Sequence, residues 1–210
     1  MKKIIILFTA FLFSPYINHA QDSREKLVFG LKAGATLSGV YDQKGENFAP
    51  QPKVGFTGGA FLGIPTWKYV GFQPEILFTQ RGFRSTGTIL GNPYSDTRTT
   101  SFLDIPLQVQ FKPQDFITFL GGIQYSHLLY QNDVYTFGTN NAAQEQALEN
   151  DNTRKNIFSA VFGIDYNIRH FIISGRGNWD LQNNAGNGPT YMPRYKNIWF
   201  QLSVGFRLYR

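Results

Sequence analysis

The chain has 210 residues, of which 16 % are charged and 16 % aromatic, with 20 phenylalanines and 11 tyrosines. This length favours one domain, and the charged fraction lies well below the roughly 25 % typical of soluble globular domains. The absence of cysteine excludes a disulfide framework, a thiolate metal site and a thiol nucleophile. The formal net charge of +6 is not gathered into a Lys/Arg run, so the sequence gives no reason to expect nucleic-acid binding.

The N-terminal residues have the organisation of a secretory signal. Lys2 and Lys3 precede an apolar run that ends at Phe13, and Ala20 is the small residue before the expected cleavage site. About ten apolar residues are too few to span about 30 Å of hydrocarbon as a helix, and no other stretch reaches the length of a transmembrane helix. We therefore expect a signal peptide at residues 1–20, a short periplasmic segment at 21–26 and an outer-membrane domain at 27–210.

Eight segments alternate apolar and polar residues with a period of two, which predicts β-strands with one apolar and one polar face. In Leu103–Phe111, for example, every second residue is leucine, isoleucine, valine or phenylalanine, and Asp104, Pro106 and Gln108 lie between them. Strands of about ten residues cross a bilayer when they are tilted. The predicted strands are Leu27–Ser38, Lys53–Ile64, Tyr69–Gly82, Ser101–Lys112, Asp115–Leu128, Asn156–Tyr166, His170–Leu181 and Asn197–Leu208.

The connections between these strands alternate between long and short. Outer-membrane barrels have tight periplasmic turns, long external loops and both termini on the periplasmic side. The sequence therefore predicts an all-β fold, an eight-stranded antiparallel up-and-down transmembrane β-barrel with four long external loops and short periplasmic turns. The long connections are Gly39–Pro52, Phe83–Thr100, Leu129–Lys155 and Gln182–Lys196, and the short ones are Pro65–Lys68, Pro113–Gln114 and Asn167–Arg169.

Charged residues on the polar faces distinguish this prediction from a soluble barrel. A lipocalin-like barrel also closes eight antiparallel strands, but its apolar face points inward around a ligand. We expect the charges here to form a paired network that fills a narrow lumen, because an unpaired buried charge is costly. The alternative is that they are ordinary solvated surface charges. The predicted inward-facing charges are Lys32, Glu75, Arg81, Asp104, Asp165, Arg176, Asp180 and Arg207.

Two prolines lie within predicted strands, although a closed barrel has no edge strand to accommodate a missing N–H. If the Phe83–Thr100 connection joins antiparallel neighbours, Pro74 lies opposite a residue near Val109, and Pro106 falls close to Pro74. We expect a bulge or kink at this point.

Aromatic residues at the strand ends predict a girdle at each membrane interface. Packing in a core is the alternative for each residue taken alone. The predicted periplasmic girdle contains Trp67, Tyr69, Phe111, Phe116, Tyr166 and Phe171, and the external one contains Phe83, Tyr125, Tyr130 and Trp179.

Two segments, QPEILFTQRG at Gln73–Gly82 and SFLDIPLQVQFKP at Ser101–Pro113, resemble the paired strand motifs of the PorT-like outer-membrane β-barrel family of Bacteroidetes-type bacteria. The sequence departs from that family at Gln110, where lysine is frequent, and at Arg210, where the family ends in an aromatic residue. The resemblance implies a location in outer-membrane lipid and insertion by the barrel-assembly machinery. The eponymous member is associated with protein secretion, a role that we do not carry over to this chain. Further similar segments are Phe29–Ser38, Ser174–Asn183 and Gln201–Tyr209.

The sequence offers little material for catalysis or metal binding. After the expected cleavage only His127 and His170 remain, on different strands near opposite rims, and neither has a carboxylate at ligand spacing. Ser126 and His127, with Asp133 nearby, have the composition of a hydrolase or acyltransferase site. A histidine at a loop rim is more often structural, so we predict no catalytic, cofactor-binding or metal-binding residue.

The predicted function is that of a non-enzymatic outer-membrane protein that acts either as an envelope component or through its external loops, with envelope or secretion proteins as partners of those loops. Loops of this length carry function more often than strands do, and an eight-stranded interior is only wide enough for side chains. Three alternatives stay open. They are a narrow pore for small solutes or ions, an accessory component of protein secretion, and a loop-based lipid-modifying enzyme.

Overall fold

A computed structural model describes residues 26–44, 49–89, 92–137, 153–185 and 194–208. Eight antiparallel strands close into a barrel in which each strand pairs with its neighbours in sequence and the last strand pairs with the first. The predicted eight-stranded antiparallel barrel is confirmed. The expected signal peptide lies outside the described residues. The strands are β1 (Val28–Lys44), β2 (Ala49–Pro65), β3 (Val70–Ile89), β4 (Asn92–Gln114), β5 (Ile117–Phe137), β6 (Asn156–Ile168), β7 (Phe171–Asp180) and β8 (Arg194–Arg207).

Among the described residues, no helix is long and apolar enough to cross a membrane.

Six of the eight strands, all except β6 and β7, extend further at their external ends than the sequence pattern predicts. Most of the predicted loop Phe83–Thr100 is a β-hairpin, since β3 and β4 stay paired as far as Ile89 and Asn92. The predicted loops Gly39–Pro52 and Leu129–Lys155 also begin within strands, because β1 continues to Lys44 and β5 to Phe137. These loop boundaries were wrong for a physical reason. Outside the bilayer neither face of a strand has to be apolar, so the period of two fades while the ladder continues.

The three connections at the other end of the barrel are short, as predicted. They lie at Thr66–Tyr69, Asp115–Phe116 and Arg169–His170. Arg169 has a φ of 50°, in the left-handed region that the central residues of tight hairpin turns often adopt. In outer-membrane barrels the end with short turns faces the periplasm.

The two faces of the barrel wall have opposite chemistry. On the outer face Leu202 is 66 % exposed and Phe162 is 55 % exposed. On the inner face Thr79, Asp104 and Gln108 are each 0 % exposed. Side chains alternate between the two faces of a strand, so the period of two in the sequence becomes an apolar outer wall and a polar interior.

The predicted periplasmic girdle consists of exposed aromatic side chains, from Trp67 to Phe171. At the external rim Tyr130 is also exposed, but Phe83 is buried inside the barrel. The placement of Phe83 in the girdle was wrong, because it lies two residues from Arg81 and therefore shares its inward face.

The prolines lie next to each other, as expected, but without a bulge. Pro74 pairs with Leu107 instead of a residue at Val109. The ladder then omits the next two residues of β3 and resumes at Leu77 opposite Asp104 in an unchanged register. The predicted bulge is therefore wrong for this part of the described chain, because omitted ladder bonds accommodate the prolines without an inserted residue.

Candidate functional site

Four inward-facing side chains from four strands form an ion cluster in the periplasmic half of the lumen, which we name the lower cluster. The Lys32 ammonium contacts the Glu75 carboxylate. Arg176 donates from Nη1 to Asp165 Oδ1 at 2.6 Å, and its Nη2 lies 3.7 Å from Glu75 Oε1. Each residue is buried. Two cations and two carboxylates leave the lower cluster formally neutral, which limits the cost of placing charge in the barrel.

Neutral polar side chains complete the hydrogen bonding of the two carboxylates in the lower cluster. Ser174 Oγ donates to Asp165 Oδ1 at 2.6 Å. Gln73 Nε2 donates to Glu75 Oε1 at 2.6 Å, and Gln110 Nε2 donates to Gln73 Oε1. A buried carboxylate with several donors is strongly favoured in its ionised form, so these bonds support the charge pairing.

A second ion cluster, the upper cluster, lies nearer the external end and consists of Arg81, Asp104 and Asp180. Arg81 Nη2 lies 2.5 Å from both carboxylate oxygens of Asp104, and Arg81 Nη1 lies 4.0 Å from Asp180 Oδ1. The side chains in both ion pairs are 0 % exposed. Asp180 also accepts from Ser159 Oγ at 2.7 Å and from Asn197 Nδ2 at 2.6 Å.

Two aromatic rings enclose the guanidinium of the upper cluster. The Arg81 guanidinium carbon lies 3.5 Å from the centroid of the Trp199 ring and 4.4 Å from that of Phe102. Both rings are buried, Trp199 completely. A desolvated cation over an aromatic face is stabilised by the ring quadrupole, most strongly for tryptophan. We name Trp199 and Phe102 the aromatic seal, because with Arg81 they occupy the lumen at this level.

The eight predicted network residues therefore fall into two separate clusters and one outlying residue. Lys32, Glu75, Asp165 and Arg176 form the lower cluster, and Arg81, Asp104 and Asp180 form the upper cluster. Arg207 lies at the periplasmic end, where it donates to Asn167 Oδ1 and, at 3.4 Å, to the Arg169 carbonyl oxygen.

A further ion pair was missed by the sequence analysis. Arg98 donates to Asp133 in a bidentate manner, from Nε at 3.0 Å and from Nη2 at 2.8 Å. Its Nη1 donates to Tyr195 Oη at 3.2 Å, and Phe83 packs edge-on against Tyr195 at 5.0 Å between centroids. We name these four residues the external cluster. The sequence pattern places Arg98 in a loop, although Arg98 lies an even number of residues from Asp104 and therefore on the same inward-facing side of β4.

The residues considered for catalysis do not come together. Ser126 points into the lumen, where it is 0 % exposed and accepts from Arg81. His127 belongs to the opposite face and its Nδ1 lies 2.7 Å from Asn156 Oδ1. Asp133 is paired with Arg98. Among the described residues no group of three or more His, Cys, Asp or Glu side chains is arranged to hold a metal ion.

A closed barrel of antiparallel strands with an apolar outer wall and a charged, buried interior defines an integral outer-membrane β-barrel protein. The family model described as "Outer membrane protein beta-barrel domain" matches residues 19–186, and the chain belongs to this family. It accordingly lies in the lipid of the outer membrane. The comparison with curated proteins finds no match.

Several solved outer-membrane proteins are similar in structure. Ail, the attachment invasion locus protein of Yersinia pestis, is 11 % identical, with 86 % of this chain and 98 % of that chain covered and a TM-score of 0.45. OprG from Pseudomonas aeruginosa is 9 % identical, with coverages of 89 % and 98 % and a TM-score of 0.45. The outer membrane protease OmpT from Escherichia coli is 10 % identical, with coverages of 91 % and 99 % and a TM-score of 0.37. A β-barrel fold hosts many unrelated functions, so it does not by itself decide whether a chain is an enzyme.

Proposed function

We propose that this protein is a closed, non-conducting and non-enzymatic barrel that acts at the cell surface through the external ends of β3, β4 and β5. The observation that carries the proposal is the filled lumen at the upper cluster. Trp199, Arg81 and Phe102 are all buried there, and Arg81 contacts both rings. An eight-stranded barrel has room for side chains and little else, so solutes have no route past this level.

Conductance in planar bilayers tests the closure directly. We expect the purified full barrel to give no stable single-channel steps, because an ion would have to displace the Arg81 side chain from Asp104 and from the aromatic seal. Stable and reproducible steps from the pure protein would instead favour the narrow pore for small solutes or ions.

The external surface supports the second half of the proposal, because in the described part of the chain β3, β4 and β5 stay paired far beyond the point where the β5–β6 ladder ends. The β4–β5 ladder runs to Tyr94 opposite Phe137, whereas the β5–β6 ladder ends at His127 opposite Asn156. From residue 128 to Phe137 the strand has ten further residues, about 33 Å of chain at about 3.3 Å per residue. We name the external parts of β3, β4 and β5, which lie beyond the level of His127, the protruding sheet. A surface of this kind, held by a rigid barrel, suits recognition of another molecule.

The external cluster stiffens the base of the protruding sheet. Arg98 on β4 and Asp133 on β5 join two of its strands by a bidentate pair, and Tyr195 links them to β8. On either side of Asp133 along β5, Tyr130 and Val134 are exposed. Aromatic side chains such as tyrosine are enriched at protein interfaces.

Pull-down of native envelope partners after gentle detergent extraction tests the role of the protruding sheet. We expect the double substitution Tyr130→Ser and Val134→Ser to remove partners that the wild-type barrel retains. The matched control is Lys68→Ser, an exposed position on a periplasmic turn, which should retain them. Identical partners for all three proteins would contradict the proposal.

We also propose that the chain is a PorT-like member of the outer-membrane β-barrel family. The two segments that carry the resemblance lie on the paired strands β3 and β4, and they supply Glu75, Arg81 and Asp104 to the ion clusters. This proposal favours a role as an accessory of protein secretion as the second candidate function. Deletion of the gene, followed by identification of secreted proteins retained in the periplasm, tests that role. An unchanged secretome would count against it.

Two smaller proposals complete the assignment. Residues 1–20 are a cleaved signal peptide, and N-terminal sequencing of the mature protein should begin at Gln21.

The protein has no lipid-modifying activity, so His127→Ala should leave the lipid profile of the cell unaltered. A changed profile would restore the enzyme alternative.

A further inference from the structure

A cavity of about 130 Å³ opens inside the periplasmic mouth of the barrel, below the lower cluster. Asp165 lines its inner end but already accepts a bond from Arg176 at 2.6 Å, so the charge of that carboxylate is offset by a cation of the lower cluster. The remaining charged groups of the wall are mainly basic. The charged lining residues are Lys112, Arg169, Arg207, Asp115 and Asp165.

Lys112 lines this cavity without a direct partner. In the described part of the chain its ammonium makes no hydrogen bond or ion pair. Arg207 repels this ammonium and Asp165 attracts it, and the repulsion is the larger of the two. Partial burial removes water from both groups, which raises the cost of holding like charges together. An anion between them would lower that cost.

We propose that the mouth cavity binds one oxyanion, a phosphate or carboxylate group carried by a molecule on the periplasmic side. The Lys112 ammonium supplies a point charge, and the guanidinium groups of Arg169 and Arg207 supply the planar forks that match an oxyanion. A cavity of 130 Å³ that opens at the periplasmic mouth has room for an oxyanion of a few heavy atoms.

Neighbouring bonds hold this wall in place without an added ligand. Asn167 Nδ2 donates to Thr118 Oγ1 at 3.0 Å and to the Asp115 carbonyl oxygen at 3.3 Å. Asn167 Oδ1 accepts from Arg207. Arg207 is thus held on a framework that joins β5, β6 and β8, and a preorganised group binds with a smaller entropy cost.

The test is a titration of the full barrel in a non-ionic detergent with inorganic phosphate and, separately, with acetate. Backbone amide shifts around Thr118 and Asn167 report binding, and chloride keeps the ionic strength constant. We expect saturable shifts with at least one anion. Tighter binding of phosphate indicates a phosphate-bearing ligand, and tighter binding of acetate indicates a carboxylate.

Lys112→Gln should raise the dissociation constant about tenfold, the effect of one charge-assisted hydrogen bond. The matched control Lys68→Gln removes a lysine from the nearby turn outside the cavity and should bind as the wild type does. Saturable shifts with neither anion, or unchanged binding by Lys112→Gln, would overturn the proposal. If Lys112→Gln does not fold, Arg169→Gln takes its place with the same expectation. The conductance result is independent of this site, so either proposal can fail alone.

Discussion

The lower and upper clusters use the same types of side chain at different depths of one lumen, and they differ in how charge is compensated. The lower cluster has two cations and two carboxylates, and the periplasmic cavity opens directly below it. The upper cluster has one cation, Arg81, for Asp104 and Asp180, and the aromatic seal excludes water from it. A barrel therefore stabilises interior charge in two ways. Near water, equal numbers of cations and carboxylates form a neutral cluster. Where water is excluded, many hydrogen bonds and contacts with aromatic rings compensate the charge.

This difference predicts that replacing an arginine by methionine lowers the free energy of unfolding more in the upper cluster than in the lower cluster. Arg81→Met leaves Asp104 and Asp180 without a cation, and the free energy of unfolding should fall by about 4 kcal/mol. Urea unfolding in lipid vesicles, followed by tryptophan fluorescence, measures the loss.

The matched control is Arg84→Met, which lies three residues further along β3 and is exposed. Its effect should stay within about 0.5 kcal/mol. A cost below about 1 kcal/mol for Arg81→Met would show that the upper cluster is hydrated and that the comparison with the lower cluster is wrong.

Removal of the seal is the next largest expected effect. Trp199→Ala empties a completely buried site and exposes one face of the Arg81 guanidinium. We expect a loss of about 3 kcal/mol, from the cavity and the lost cation–π contact together. Trp179→Ala is the control, because Trp179 stacks on Phe162 at the outer wall, where lipid can fill the space. An equal loss for both variants would contradict a specific role for the seal.

Arg176→Met tests the lower cluster with the same chemical change as Arg81→Met. Lys32 still contacts Glu75 after the substitution, and water from the periplasmic cavity can reach Asp165. We therefore expect an intermediate loss of about 2 kcal/mol, between the values for exposed and buried ion pairs. A loss as large as that of Arg81→Met would mean that water access does not separate the two clusters.

The inward direction of these charges follows from the sequence, but their partners do not. Alternation along a strand fixes the face of each residue, and this places Arg81 and Asp104 inside. In the ladder, however, Arg81 pairs with Thr100, and Asp104 pairs with Leu77. The ion pair forms because the long arginine side chain reaches along the axis. That reach depends on the surrounding side chains, which a pattern of period two does not contain.

Strand ends were less predictable than strand faces. The pattern of period two reports where lipid lies against the outer wall, and the β3–β4 hairpin continues beyond that level. Arg98 was consequently placed in a loop, and its pair with Asp133 was missed. Every second residue from Asp104 towards the external end is Phe102, Thr100 and then Arg98. If the strand is assumed to continue, this alternation places Arg98 on the inner face.

The smallest expected effect lies at the periplasmic mouth, only a short distance from the lower cluster. Lys112 makes no ion pair in the described part of the chain and is repelled by Arg207. In anion-free buffer, Lys112→Gln should therefore change the free energy of unfolding by less than about 0.5 kcal/mol, and in the stabilising direction, because the repulsion is removed. Lys32→Gln is the matched control and should destabilise the barrel, since it separates Glu75 from its ammonium partner. If the two lysine variants were equally destabilised in urea unfolding, Lys112 would have a structural partner, and the contrast between the paired Lys32 and Lys112 would fail.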